Sequence, residues 1–436
     1  MRGIALKKRI VWAALLLILA AVLALAILQS APKTTITPVE PDAERDFMQA
    51  SLAYDEGLRT LRGTQTLKAE NRTGKALDEI VLRLSMNANQ GELAAVSGVS
   101  VNGKAVTAEQ DAADSTVVRI DYPWQSGETI EIAWTVMIKH ARCAGAAIIT
   151  LPQLAMLEDG AWRTDAYDGL ADPSYAQAFD CVIALDGEIA ASMRMARDAS
   201  FALEGGAKAK EKKISDVAVR VLGRDAGAAK KLIDAGEAAL DSLREIGIDY
   251  PFDRLVIVDG DTSRADGAVY SGLIALDAQA DREILIRKLT RLIARQTFGI
   301  LVENDPWNAP WLSETLASGA EMLAFRARKG AAAYEERLYG EMELATRVTR
   351  PIGVNVGVAT AHFGSDSEMA QVLRDQGAAM LLGIEQAVGE EAFLQALHAY
   401  IEACAGGFGS QEALCLALEQ ATGSSWDGYI SDILAF

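Results

Sequence analysis

Histidine is almost absent from this chain, and its scarcity excludes much chemistry. Of 436 residues, only His140, His362 and His398 are histidine, and no two stand at the one-turn spacing of a catalytic zinc site. His140 closes a strand-like run, His362 lies in a Gly-rich stretch and His398 sits in the helical LQALHAYIEA, so each reads as a structural residue. Cysteine is hardly commoner. Cys143, Cys181, Cys404 and Cys415 lack C-x-x-C spacing, which excludes a disulfide scaffold and a metal or redox pair of that type. No G-x-S-x-G elbow occurs, and a cysteine hydrolase would need a histidine that the sequence does not place beside it. Positive charge is short as well: 42 Lys and Arg against 60 Asp and Glu leave a net charge of −18. No basic stripe remains to neutralise a phosphate backbone, so nucleic acid is excluded as a partner. The short run AKAKEKK, residues 207–213, reads as a solvated loop.

Beyond residue 28 no stretch is long and apolar enough to span a bilayer; before it there is one. Arg2, Lys7, Lys8 and Arg9 precede an uncharged run from Ile10 to Leu28, about the length a helix needs to cross the hydrocarbon. A secretory signal would carry a shorter apolar region and a small-x-small cleavage site. Gln29-Ser30-Ala31 followed by Pro32 is a poor one, and no cysteine stands near for lipidation. The favoured reading is an uncleaved transmembrane anchor (10–28) behind a cytoplasmic basic flank (1–9), with a cleaved signal as the alternative. The chain is therefore expected at the cell membrane, single-pass, with its bulk extracytoplasmic. In that compartment two readings of the cysteines stay equally open: one bridge in each half, Cys143 with Cys181 and Cys404 with Cys415, or buried free thiols. Residues 29–45, with Pro32, Pro38 and Pro41, read as a stalk.

From 46 to 215 the pattern is β. TQTLKAEN, EIVLRLSM, VSGVSVNGKAV, TVVRIDY and TIEIAWTVMI alternate or run with β-branched residues between turn signals. Asn102-Gly103, between Val101 and Val106, predicts a hairpin because both central residues must take positive φ. From 216 to 436 the period changes to that of helices, expected near 226–246, 281–298, 311–329, 331–347, 366–387, 390–404, 409–421 and 425–435. YPFDRLVIVDG and GAVYSGLIAL supply strands between the first two. The fold class is α+β: an antiparallel β domain, then a mostly helical domain with a small sheet.

Three stretches together resemble the membrane alanyl aminopeptidase family, gluzincin zinc metallopeptidases with a β domain packed on a thermolysin-like domain. LEDGAWRTDAYDGLADPSYAQAFDCVIAL resembles the family's β-domain segment, in which a Trp, a turn and Asp-Pro-x-Tyr precede a long strand. IDYPFDRLVIVDG with DGAVYSGLIAL resembles its Tyr-Pro strand and the Gly-x-Met-Glu-Asn/Tyr strand that lines the substrate cleft. RQTFGILVENDPWNAPWLSETLAS resembles the run His-Gln-Trp-Phe-Gly and then Trp-Asn-Asp-x-Trp-Leu-Asn-Glu-x-x-Ala. The likeness covers nearly all of 46–436, in family order.

Carried over residue by residue, the resemblance implies that the chemistry is gone. Gln296, Phe298 and Gly299 fix a register that puts Arg291 and Arg295 at the zinc-binding His positions and Leu292 at the general base. Glu314, eighteen residues beyond Arg295, is the one family ligand retained. The Asp that would orient a ligand His falls at Ala309, the Glu that grips the substrate amine at Val269, beside Tyr270, and the transition-state Tyr at Arg374 in VLRDQGAAML. Metal, base, amine anchor and oxyanion donor are all replaced together. In the family fold, positions 291, 292 and 295 face residue 314. A buried Glu314 without its metal would be costly, and a guanidinium at an old ligand position can satisfy it; a solvated helix face is the alternative for the two arginines.

The expectation is an anchored, extracytoplasmic, aminopeptidase-like protein without peptidase activity and with no cofactor. Its partners would be the membrane, through the N-terminal helix, and a peptide or an envelope or transport protein. Arg291, Arg295, Glu314, Tyr270 and Arg374 are the cleft-binding candidates, the arginines favouring a carboxylate. The alternatives are an active zinc aminopeptidase with misregistered ligands, for which zinc would be needed, and a structural subunit of an envelope or transport complex.

Overall fold

Alternation of exposed and buried residues builds the first half into sheets. The computed structural model describes residues 36–42, 44–88, 93–139, 145–158, 160–165, 178–260, 266–347 and 353–435. The candidate anchor, most of the stalk, His140, Cys143 and much of the segment before Phe179 lie outside them. Among the described residues no helix is long and apolar enough to cross a membrane.

Thr129–Lys139 alternates with a period of two along its length, the mark of a strand with one face on a core. It pairs antiparallel with Thr60–Glu70 and with Ala94–Val101. The sheet runs in the spatial order Glu188–Ala196, Phe179–Leu185, Asp46–Asp55, Thr60–Glu70, Thr129–Lys139, Ala94–Val101, Lys104–Ala105. Its strands are antiparallel except where Asp46–Asp55 meets Phe179–Leu185. The predicted hairpin forms, with φ of 50° at Asn102 and 74° at Gly103. A smaller sheet, in which Ile80–Arg83 is central and fully buried, closes the core around Trp124, Trp134, Phe179 and Phe201. The end of the stalk is tied to this domain: Val39 N donates to Ser192 Oγ at 2.8 Å and Arg45 pairs with the buried Asp180 at 3.1 Å.

The second half opens on a mixed sheet in the order Lys208–Ile214, Val217–Gly223, Arg254–Asp259, Leu273–Leu276, Ala268–Tyr270. The lysine-rich run expected to be a loop is the edge strand of this sheet, paired along Val217–Gly223. Its side chains are mostly exposed, so the solvation was readable and the strand was not; lysines on an edge discourage pairing with another chain. The hairpin also straddles the domain boundary read at residue 215. Helix α1 (Ala226–Glu245), capped by the Asp225 side chain on Ala228 N, crosses between the two parallel strands. Then come α2 (Arg282–Arg295), α3 (Trp311–Lys329), α4 (Ala331–Arg347), α5 (Ala378–Val388), α6 (Glu390–Cys404), α7 (Gln411–Thr422) and α8 (Asp427–Ala435). These agree closely with the predicted spans, because burying one helical face forces a period near 3.6.

Two stretches depart from α geometry. Gln296–Leu301 continues α2 as a π-helix, and Ala370–Gly377 does so ahead of α5. Each displaced turn leaves carbonyls that need donors. Arg197 Nε supplies Ile300 O at 3.1 Å, and Thr315 Oγ1 supplies Leu373 O at 2.9 Å. Arg197 belongs to the β half, so this bond also joins the halves, as do Asp198 Oδ2 accepting from Ser271 N at 2.7 Å and Arg163 on Asp305 at 3.0 Å.

Cys181, Cys404 and Cys415 are free and buried in apolar packing. Cys143, the fourth cysteine of the two readings, lies outside the described residues.

Candidate functional site

The site is assembled by the end of α2, the start of α3 and the π-helical turn 370–377. Between the two helices Asp305 shapes the connection, its Oδ1 accepting from Trp307 N at 2.9 Å and Asn308 N at 3.0 Å. Helix α3 can then begin at Trp311 with Glu314 in its first turn, where the helix dipole favours a negative charge. Gly299, whose Cβ would meet Ser313 Cβ at 3.3 Å, lets the π turn lie close against α3.

Glu314 is buried between two guanidinium groups. Arg295 Nη1 lies 3.1 Å from Oε1. Arg374 donates through Nε to Oε2 at 2.7 Å and reaches Oε1 through Nη2 at 3.5 Å. Arg374 goes further, placing Nη1 3.2 Å from Asp266 Oδ2 and Nη2 3.2 Å from Asp366 Oδ1. Arg291 pairs with Asp266 Oδ2 at 3.1 Å, and Lys288 approaches Asp266 Oδ1 at 3.5 Å. Burial alone would raise the Glu314 carboxyl; the Arg295 and Arg374 charges outweigh it and hold that group well below the usual carboxylate range. Burial, with Arg374 beside it, weakens the charged form of Arg291.

The remaining positions are apolar or structural. Leu292 is buried, its Cδ1 lying 2.9 Å from where a Cβ on Gly267 would be. Val269 shares the same core. Tyr270 is half-buried, and its main-chain oxygen accepts from Gln296 Nε2 at 3.0 Å while Gln296 Oε1 accepts from Gly272 N at 3.0 Å. Gln296 thus fixes the edge strand to the end of α2. Ala309 spends its backbone on the same connection, its oxygen accepting from Asn304 Nδ2 at 2.7 Å. His362 and His398 are exposed and far apart in sequence.

The structure therefore brings Arg295, Arg374 and Glu314 together and moves Arg291 to a neighbouring carboxylate. Asp266, Asp366 and Lys288 were not singled out in the sequence. Only Lys288 carried a local signal, one helical turn from Arg291 and Leu292; the two aspartates are ordinary loop and helix-start residues until the chain path delivers them.

A zinc ion does not fit these residues. A cation approaching Glu314 would meet two guanidinium groups already at bonding distance, and neither Arg291 nor Arg295 can ligate. Among the described residues no group of three or more His, Cys, Asp and Glu is placed to hold a metal.

The architecture is nevertheless a two-domain α+β fold like that of M1 zinc metallopeptidases. The crystal structure of the M1 zinc metallopeptidase of Deinococcus radiodurans aligns with a TM-score of 0.60 at 17% identity, covering 89% of this chain and 92% of that one. A mutant of the enzyme from that organism, bound to a Tyr-Ser-Ala substrate, aligns at 0.58 with 18% identity over 90% of this chain and 95% of that one. A two-domain M1 zinc metallopeptidase mutant bound to L-tryptophan aligns at 0.59 with 17% identity over 92% and 96%. In sequence, residues 273–435 match the model of the Peptidase family M1 domain. No curated protein matches the chain significantly.

Proposed function

We propose that this chain is a membrane-anchored, extracytoplasmic protein that keeps the M1 metallopeptidase fold without its peptidase chemistry and works by binding. The observation that carries the reading is the double guanidinium grip on Glu314. It places positive charge where the family places a dication, and the position that the resemblance assigns to the general base is held by the buried, apolar Leu292. A buried carboxylate so held is satisfied without metal, and a metal would have to expel both arginines first. No cofactor is expected.

The binding role draws on the neighbours, one of which holds a Tyr-Ser-Ala peptide. The corresponding ligand here is a peptide or a terminus of a membrane or envelope partner. Localisation follows from the basic flank ahead of residues 10–28.

The test is metal analysis of the purified full-length protein. Zinc below stoichiometric amounts, a melting temperature indifferent to chelator and intact aminoacyl reporter substrates are expected. One equivalent of zinc that disappears on changing Glu314 would overturn the proposal.

A further inference from the structure

The charged cluster is graded by depth. At its floor, the side chains of Glu314 and Arg374 are each 3% exposed; at its mouth Asp266 is 23%, Lys288 25% and Arg291 13% exposed. The floor is complete in itself, since Glu314 has both Arg295 and Arg374. The mouth is organised differently, because Asp266 is shared among three cations. Asp266 takes Arg291 at 3.1 Å and Arg374 at 3.2 Å on one oxygen and Lys288 at 3.5 Å on the other. For Arg291 that shared contact is its ion pair, and its buried Nε has no hydrogen-bond partner. A guanidinium presents five donors in a planar fork suited to a carboxylate on two edges. Asp266, met end-on and shared, uses little of that capacity.

We propose that Asp266 is an internal stand-in for a ligand carboxylate, and that a free carboxyl group, from a peptide C-terminus or a small acid, displaces it onto Arg291 and Lys288. The inference rests on the binding reading above and names its ligand class. Displacement costs Arg374 its Nη1 contact with Asp266 but leaves its bonds to Glu314 and Asp366 in place. Such a site should prefer a carboxylate to an amine, because Val269 offers no charge to an amine and the cations of the mouth repel one. Asp266 can yield because it lies in a turn ahead of the edge strand, immediately before Gly267, rather than within a helix. Gly267 has φ of 115°, a conformation that suits glycine.

The experiment uses the full-length protein in detergent, titrated with trialanine, trialanine amide and acetate, with Kd read by calorimetry or by NMR shifts. Trialanine should bind, and its amide at least about tenfold more weakly, as expected when a charge-assisted pair is removed. Asp266→Asn should tighten trialanine about tenfold without helping the amide. Arg291→Gln should abolish the discrimination. Gain of affinity on removing Asp266 is a readout that a purely structural carboxylate would not give. Circular dichroism confirms folding, and Asp266→Ser replaces Asp266→Asn if the latter does not fold. Acetate that competes with trialanine assigns the site to small acids; acetate without effect assigns it to peptide termini. Equal binding of acid and amide, or no binding to wild type and Asp266 variants alike, overturns the proposal. Zinc measured on the same samples separates the two failures: stoichiometric zinc removes the non-catalytic reading, whereas zinc-free protein without discrimination removes this inference alone.

Discussion

Arg374 donates through Nε to Glu314 Oε2 at 2.7 Å, joining residues 60 apart in sequence across the start of α3 and a π-helical turn. Both groups are buried, so neither has water as an alternative partner. The pair is therefore costly to break from either side, whatever its net worth against an apolar replacement.

Changing Glu314 to Gln should destabilise the protein by about 3–5 kcal/mol, because Arg295 and Arg374 stay buried and lose the carboxylate they share, although Arg374 keeps Asp266 and Asp366. Urea unfolding midpoints of wild type and variant measure this. Combining Glu314→Gln with Arg374→Leu should recover part of the loss, and a double-mutant cycle reads the coupling.

Stability should fall on acidification, in a window set by Glu314. Its folded pKa lies below the unfolded value of 4.5, so its contribution is complete above that pH and is lost as pH falls toward the folded value. Unfolding midpoints taken from about pH 5 to about pH 3 should drop in wild type and change less in Glu314→Gln.

Rebuilding a zinc site should need four changes rather than three. Arg291→His, Arg295→His and Leu292→Glu introduce two ligands and a base at the positions the proposed reading gives them, yet Arg374 would still hold Glu314 Oε2. Adding Arg374→Tyr frees the third ligand. Metal analysis should find zinc near one equivalent in the fourfold variant and well below it in the threefold one; equal zinc in both would show that Arg374 does not occupy the ligand.

Gly267→Ala should be strongly destabilising although it adds one methyl group. The new Cβ would fall 2.5 Å from Ala275 O and 2.9 Å from Leu292 Cδ1 at a φ of 115°. Strain at such a backbone position costs about 1–3 kcal/mol before the clash is counted. Thermal melts should show the loss, and Gly260→Ala, whose nearest contact is an ordinary 3.8 Å, is the control.

Much of this was legible in the chain itself. The period of two in TIEIAWTVMI, the period near 3.6 from residue 226 onward and the Asn102-Gly103 turn are local consequences of burying one face or reversing the chain, so they are written where they act. The pairing of Arg295 with Glu314 was within reach too, because the end of one helix, one loop and the start of the next set their separation. The partners of Arg374 and Arg291 were not, since Asp266 lies 108 residues from Arg374 and any of 60 acidic side chains was available. Charge type does not choose a partner; distance does, and distance is fixed only when sheet and helices pack. For the same reason AKAKEKK showed its solvation but not its strand, whose ladder needs Val217–Gly223 alongside. Sequence alone determined that positions 291, 295 and 374 carry guanidinium groups, which cannot ligate a metal; the tertiary structure decided which carboxylates would neutralise them, because only packing brings Asp266, Glu314 and Asp366 within reach.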